Sequence, residues 1–284
     1  MNHPRPPLRS RPQSELKSFP HLVPPRWRKP SPLIFVGLIV GAAFFFHGLW
    51  ISELTPLRIW QGFSRLWNFL DKAIPPDPSR LGSVIQATLE TFEMALVGTV
   101  FGAVLSLPLA IFAAKNTTPH RFIFTLTRSF VTLLRVIPDL IWGLIFIIVV
   151  GLGPAAGIMA LTADTMGFCG KFFAERIEEI EPGPVEALRA IGASEPSIIV
   201  GAIFPATLPS FVASTLFALE SSVRSAVVLG LVGAGGIGVE LSTSMQLLRY
   251  DEAFMVIIVI FIVVLVVEQV SSFIRRTIIG GKNL

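Results

Sequence analysis

The chain has 284 residues, is 52% hydrophobic and carries a formal net charge of +4; its mean hydropathy is +0.70. A soluble domain of this length is far less apolar, so that class is excluded. The apolar runs are long enough to cross a bilayer at about 20 residues per helix, and a run such as 253–267 lacks the alternation of a barrel strand. The reading is an all-α, polytopic membrane protein.

Residues 1–32 carry Arg5, Arg9, Arg11, Lys17, Arg26, Arg28 and Lys29 against the single acid Glu15, among many prolines. Such a segment cannot bury a core and is expected to be a disordered tail, cytoplasmic by the positive-inside tendency. A nucleic-acid-binding arm is the weaker reading of the same charges in a membrane context. The lone Cys169 excludes an intramolecular disulfide, and His3, His21, His47 and His120 show no metal-ligand spacing. No cleaved signal peptide is expected, because the first apolar run follows a long polar tail and no small-residue cleavage pattern follows it.

In chain order, the first span is expected at 33–51. Residues 52–80 are mixed, with Trp60 and Trp67 suited to the membrane interface, and predict an amphipathic helix on the outer surface. The second span, 83–113, carries Glu90 and Glu93 in a part that projects from the bilayer. Gly98, Gly102 and Ala103 farther along let another helix approach closely. A short basic loop, 115–121, precedes the third span, 122–151, which Pro138 kinks or divides. Gly151-Leu152-Gly153-Pro154 is a turn, and the fourth span follows at 155–173. Residues 171–196 are polar and interrupted by Pro182-Gly183-Pro184; Pro184 suits the first turn of a new helix. The fifth span is expected at 204–231. After the Gly-rich passage Gly230 to Gly238, the sixth is expected at 254–273, closed by Arg275, Arg276 and Lys282. Six spans return two basic termini to one side, with 81–276 as the transmembrane domain, 33–80 preceding it and 277–284 as a cytoplasmic tail.

Gly233, Gly235, Gly236 and Gly238 fit a GxGxxG pattern. A dinucleotide site needs that pattern in a strand–loop–helix unit with an acid about 20 residues on; between two membrane spans the glycines predict close packing or a re-entrant turn. No Walker A motif is present: Gly170-Lys171 is followed by Phe172, and position 165 is Thr. Any nucleotide energy must therefore come from another polypeptide. Enzyme readings lack a constellation, since His47 alone lies in an apolar span, and no HExxH or intramembrane GxSxG occurs.

Glu220 and Arg224 sit inside the fifth span, where a charge costs about 2.5–3.5 kcal/mol. Their i, i+4 spacing places them on one helix face in the favourable order. Two readings stay open: the pair neutralises itself and fixes packing, or it faces a translocation path on which Arg224 helps an anion pass. Ser221, Ser222 and Ser225 make the same region polar. Arg135 and Asp139 form a second i, i+4 pair beside Pro138, with the same two readings.

Residues 186–205 read Glu-Ala-Leu, three residues, Gly192, nine residues, then Ala-Ile-Phe-Pro. This pattern resembles the cytoplasmic EAA loop of ABC-importer permeases. Glu186, Ala187, Gly192 and Pro205 match it; Leu188, Ala202 and Phe204 depart from it, apolar for apolar. Arg135-Val-Ile-Pro138-Asp139-Leu-Ile-Trp142, Gly151-Leu-Gly153-Pro154-Ala-Ala-Gly157, Glu175-Arg-Ile-Glu178, Glu220-Ser-Ser-Val-Arg224 and Val232-Gly-Ala-Gly-Gly-Ile-Gly238 are similar to the phosphonate ABC-transporter permease subunits of the PhnE type, over about residues 81–276.

The resemblance implies a type I importer permease fold with coupling helices between spans four and five, within 182–209. It implies Pro184, Glu186, Ala187, Gly192, Ala193 and Pro205 as ATPase-coupling residues. Arg135, Glu220, Ser221, Arg224 and Ser225 become the candidate path, and Gly233, Gly235, Gly236 and Gly238 a gate or packing element. It further implies a second copy of the permease, two cytoplasmic subunits that bind ATP and Mg, an extracytoplasmic phosphonate-binding protein, and the bacterial inner membrane with both termini cytoplasmic. The chain itself needs no cofactor and no nucleic acid. The implied cargo is a phosphonate or related phosphorus oxyanion such as phosphite or a phosphate ester. The alternatives are a permease for another nutrient, such as methionine, and a membrane scaffold that does not transport.

Overall fold

The computed structural model describes residues 31–52 and 55–280, and among these every regular element is a helix. The expected tail over residues 1–30 and the last four residues, with Lys282, lie outside the described residues. The chain divides into two compact units, 1–65 and 66–284.

Helix α1 (Pro32–Ile51) is apolar on every side and has no buried residue, the composition of a membrane span; its 20 residues reach about 30 Å. Helix α2 (Pro56–Ala73) begins in the first unit and ends in the second. Ile59, Trp60, Phe63, Leu66 and Trp67 fall on one face, and Arg58, Arg65 and Lys72 recur every seven residues on the other, the pattern of a helix lying at an interface.

In the second unit, Asp77 opens the turn before α3 (Leu81–Ala113) by accepting the Ser79 backbone N–H and hydroxyl, both at 2.8 Å. Those bonds hold its carboxyl below the usual range. Helix α3 packs side by side with α6 (Pro154–Glu178). The two run parallel in fixed register: Gly98 lies on Leu161, Gly102 on Thr165, and the backbone N–H of Lys115 donates to Glu178 at 2.8 Å. A Cβ on Gly102 would stand 2.6 Å from the Thr165 Cβ and 2.8 Å from the Thr162 carbonyl oxygen, whereas one on Gly82 would meet nothing. We expect Gly102→Ala to destabilise the fold by about 1–3 kcal/mol through overpacking and Gly82→Ala to be neutral or stabilising by up to about 1 kcal/mol. Thermal unfolding of the purified variants checks the contrast.

Between them run α4 (Arg121–Val136) and α5 (Asp139–Val150), bent by 92°. Pro138 divides the segment by removing a backbone donor. The carbonyl it would have paired with, that of Leu134, accepts the indole N–H of Trp142 at 3.2 Å instead. Helix α4 starts near Glu178, to which Arg128 pairs at 3.4 Å, at one end of α6. The turn after α5 bonds Gly153 N–H to the Gly233 carbonyl at 3.0 Å, beside Pro154 at the other end of α6. The pair therefore traverses the bundle as a broken span and does not turn back.

On length and apolarity, four helical stretches qualify as spans, or five with the bent pair, and α6 is not among them. The fourth expected span, 155–173, exists as α6 but is more polar, with Asp164, Lys171 and Glu175. It can be so because α3, α4, α5 and α9 surround it and carry the lipid-facing role in its place.

After α6 come α7 (Pro182–Ala190), the single turn α8 (Glu195–Ile198), one wider π turn (Ile199–Ile203) and α9 (Phe204–Leu231). Helix α10 (Ile237–Gln246), which the sequence reading missed, follows the Gly-rich turn, and α11 (Tyr250–Gly280) returns to the α7 end. One apolar cluster, including Ala113, Phe173, Ile177, Ile198 and Phe211, fills the α7 end. A second, including Met94, Leu161, Val223 and Leu229, fills the middle.

Candidate coupling and translocation sites

Helix α7 ends in a left-handed residue, Gly192, at φ +80°. Its N–H donates to the Arg189 carbonyl, and the N–H of Ala193 reaches back to the Leu188 carbonyl, each at 3.1 Å. This is a Schellman stop, which favours glycine at the position after the cap. The hydrophobic contact that accompanies such stops is present, since Leu188 and Ala193 both pack on the end cluster, with Val185. Arg189 and Glu195 bridge the turn at 3.0 Å. The opposite side is bare: Pro184, Glu186 and Ala187 are exposed, and Ile191 is 79% exposed.

Glu186 lies beyond the first turn of α7, which holds no acid; the acid at a helix start is Glu195 on α8. The coupling segment is helical over Pro182–Ala190 and again from Glu195 onward, where it runs on into α9. Pro205 cannot donate and crowds the preceding turn, and the π turn just before it absorbs the strain, with Phe204 N–H bonding five residues back to Ile199. The 195–231 stretch is thus one continuous helical rod.

Farther along that rod, Glu220 takes Arg224 at 3.1 Å and Arg275 of α11 at 3.2 Å. The Glu220 side chain is 11% exposed and that of Arg224 45% exposed. The i, i+4 pair forms, and Glu220 is shared: it ties α9 to α11 through Arg275, while Arg224 keeps nearly half of its side chain exposed. Arg275, assigned from sequence only to the charged end of the last span, is the missed partner. No spacing rule links residues 55 positions apart. Ser221 and Ser225 are half-buried beside Arg224, while buried Ser222 meets Thr165 at 3.4 Å.

Arg135 and Asp139 are not an i, i+4 pair. Helix α4 stops at Val136, so no common face exists, and no ion pair joins them among the described residues. Asp139 starts α5, and both residues lie in electrostatic range of Asp164 on α6.

At the other end, Gly233, Gly235 and Gly236 all adopt positive φ. The Gly236 N–H donates to Glu90 at 3.1 Å and the Ile237 N–H to Thr91 at 2.7 Å. The amides that a nucleotide phosphate would use are thus occupied by α3. Gly230 and Gly238 let α9 and α10 cross closely, since a Cβ on Gly230 would stand 2.7 Å from the Gly238 Cα. Packing is the role this geometry supports. Arg80 ties the same end together through Glu240 at 2.8 Å and Glu252 at 3.6 Å, another long-range network outside the reach of sequence. Among the described residues no cluster of His, Cys, Asp or Glu could hold a metal.

Comparison with known proteins agrees with this architecture. Residues 106–278 match the family described as binding-protein-dependent transport system inner membrane component. The chain is 36% identical to the phosphite transport system permease protein PtxC of Stutzerimonas stutzeri, over 88% of this chain and 90% of that one. It is 34% identical to the phosphate-import permease protein PhnE of Mycolicibacterium smegmatis, over 86% of this chain and 46% of that longer one. Among solved structures it resembles an inward-facing form of the MetNI methionine ABC transporter, with a TM-score of 0.63 and 24% identity, covering 71% of this chain and 99% of that one; this likeness speaks for the fold alone. The fold is the type I ABC-importer permease fold, and the chain belongs to the family of binding-protein-dependent transport system inner membrane components.

Proposed function

We propose that this chain is the permease of an ATP-driven importer for phosphonates or related phosphorus oxyanions, phosphite and phosphate included. It works as two copies, with two cytoplasmic subunits that bind ATP and Mg and an extracytoplasmic binding protein. The observation that carries the reading is Arg224: it stays half-exposed on a membrane helix, and the one carboxylate it pairs with, Glu220, is shared with Arg275, so its charge is only partly neutralised. Lipid does not accept such a group at depth, so it faces a partner protein or a wet path, and its charge suits an anion. The two relatives named for phosphite and phosphate transport support the same cargo class.

Orientation follows from charge. Lys115, Arg121, Arg128, Arg176 and Arg275 belong to the end that carries α7, which is cytoplasmic on the positive-inside tendency. There the bare side of α7, with Glu186, Ala187 and Ile191, receives the ATPase. Closure of the ATPase pair on ATP pushes α7 and α8. Val185, Leu188 and Ile198 anchor them in the end cluster, and α8 continues without a break into the rod bearing Arg224. A rigid-body tilt of that rod changes which side of the membrane Arg224 faces, the logic of alternating access.

A strain lacking this chain, supplied with phosphite or methylphosphonate as sole phosphorus source, tests the reading. Growth is expected only with the chain restored. Equal growth without it, in a strain with no second phosphonate importer, would reject the cargo assignment.

A further inference from the structure

Three cavities, of about 550, 330 and 380 Å³, follow one another along α4. Between them they are lined by Lys115, His120, Arg121, Arg128, Arg135 and Lys171, with Glu175 as the one acid among the lining residues. The 380 Å³ cavity gathers three of the cations, Arg128 and Arg135 from α4 and Lys171 from α6, with Thr132 in the same wall. It is built by close packing. A Cβ on Gly167 would stand 3.0 Å from the Arg135 Cγ, so the glycine lets the arginine stem lie flat on α6.

The cations are incompletely neutralised. Lys171 pairs with Glu175 at 3.5 Å and Arg128 with Glu178 at 3.4 Å, both long. Arg135 has no carboxylate within 4.0 Å among the described residues. Arg135 is exposed and Arg128 and Lys171 are only half-buried, so the excess positive charge of the recess is open to an incoming anion. Arginine forks and a lysine together match a tetrahedral oxyanion, and basic recesses between membrane helices on the cytoplasmic side suit phosphate headgroups.

We infer that the Arg128, Arg135, Lys171 recess binds a phosphorus oxyanion, supplied either by the headgroup of an anionic lipid or by a free phosphate or phosphonate ion. The free-ion source rests on the transport reading above; the lipid source does not. The site is distinct from Arg224, which lies on α9.

The test follows thermal unfolding of the purified, assembled transporter in a maltoside detergent at constant ionic strength. Inorganic phosphate, methylphosphonate and short-chain phosphatidylglycerol are titrated, with chloride and short-chain phosphatidylcholine as controls. At least one phosphorus anion is expected to raise the Tm saturably. The double variant Arg135→Gln, Lys171→Gln is expected to weaken the midpoint by about tenfold or more. Thr132→Glu, which adds an acid to the exposed wall without disturbing the packed stems, gives the same loss should the double variant fail to assemble. A response to the free ions assigns the recess to the cargo anion, and a response to phosphatidylglycerol alone assigns it to lipid; both uphold the site. No response to any phosphorus anion overturns it, as does an equal response in wild type and Thr132→Glu. Loss of the response in Arg224→Gln would also overturn it by moving the binding to α9. Retention there, with transport abolished, separates this site from the transport reading.

Discussion

Arg224→Gln is expected to leave the transporter assembled and its unfolding temperature nearly unchanged, while substrate-stimulated uptake falls about 10- to 100-fold. Assembly survives because Glu220 keeps Arg275 at 3.2 Å when Arg224 is lost. Uptake falls because the anion loses a charge-assisted contact worth about 1.5–3 kcal/mol. The converse change separates packing from passage. Glu220→Ala removes the one carboxylate shared by Arg224 and Arg275, and breaking a buried ionic contact in this way costs about 3–5 kcal/mol. That variant should fail in membrane yield and assembly. If Arg224→Gln also fails to assemble, or transports normally, Arg224 has no role in the path.

The second large effect is expected at the α7 stop. Gly192 holds φ +80° with open space where a side chain would go, so backbone conformation alone restricts it. A β-branched residue there costs about 1–2 kcal/mol or rotates the turn, whereas asparagine tolerates the left-handed region. Gly192→Val should therefore hydrolyse ATP without importing, and Gly192→Asn should stay within about twofold of wild type, since a few tenths of a kcal/mol is a small factor. Glu186→Lys is a companion test. Glu186 is exposed and makes no hydrogen bond or ion pair among the described residues, so the variant should fold normally and lose coupling through its partner alone. Simultaneous measurement of ATP hydrolysis and uptake decides both. Equal coupling in Gly192→Val and Gly192→Asn would show that the turn transmits no force.

Local chemistry was legible in the sequence, and pairing between distant helices was not. The spans of α1, α3 and α9, the division at Pro138 and the close approach at Gly98 and Gly102 each follow from a run of residues or a missing atom that acts nearby. Gly192 stood out in the EAA pattern, and its turn is local in the same sense, since only backbone freedom is at stake. Helix α10 was missed because ten residues between a Gly-rich turn and a long span carry no clear period. The Arg135–Asp139 spacing misled because i, i+4 counts as contact only inside one helix, and Pro138 ends it. Arg275 on Glu220, Arg80 on Glu240 and Glu252, and the α4–α6 recess depend on how helices far apart in sequence meet. Asp164 and Lys171 lower the apolar signal of α6 because protein, not lipid, surrounds that helix.

The central claim is tested most directly by ATP-driven uptake into proteoliposomes holding this chain with its ATPase and binding protein. Radiolabelled methylphosphonate is offered with phosphite, phosphate and methionine as competitors. The account predicts ATP-dependent accumulation that phosphorus oxyanions suppress and methionine does not. Accumulation of methionine instead, or no ATP-dependent accumulation of any phosphorus oxyanion, would contradict it.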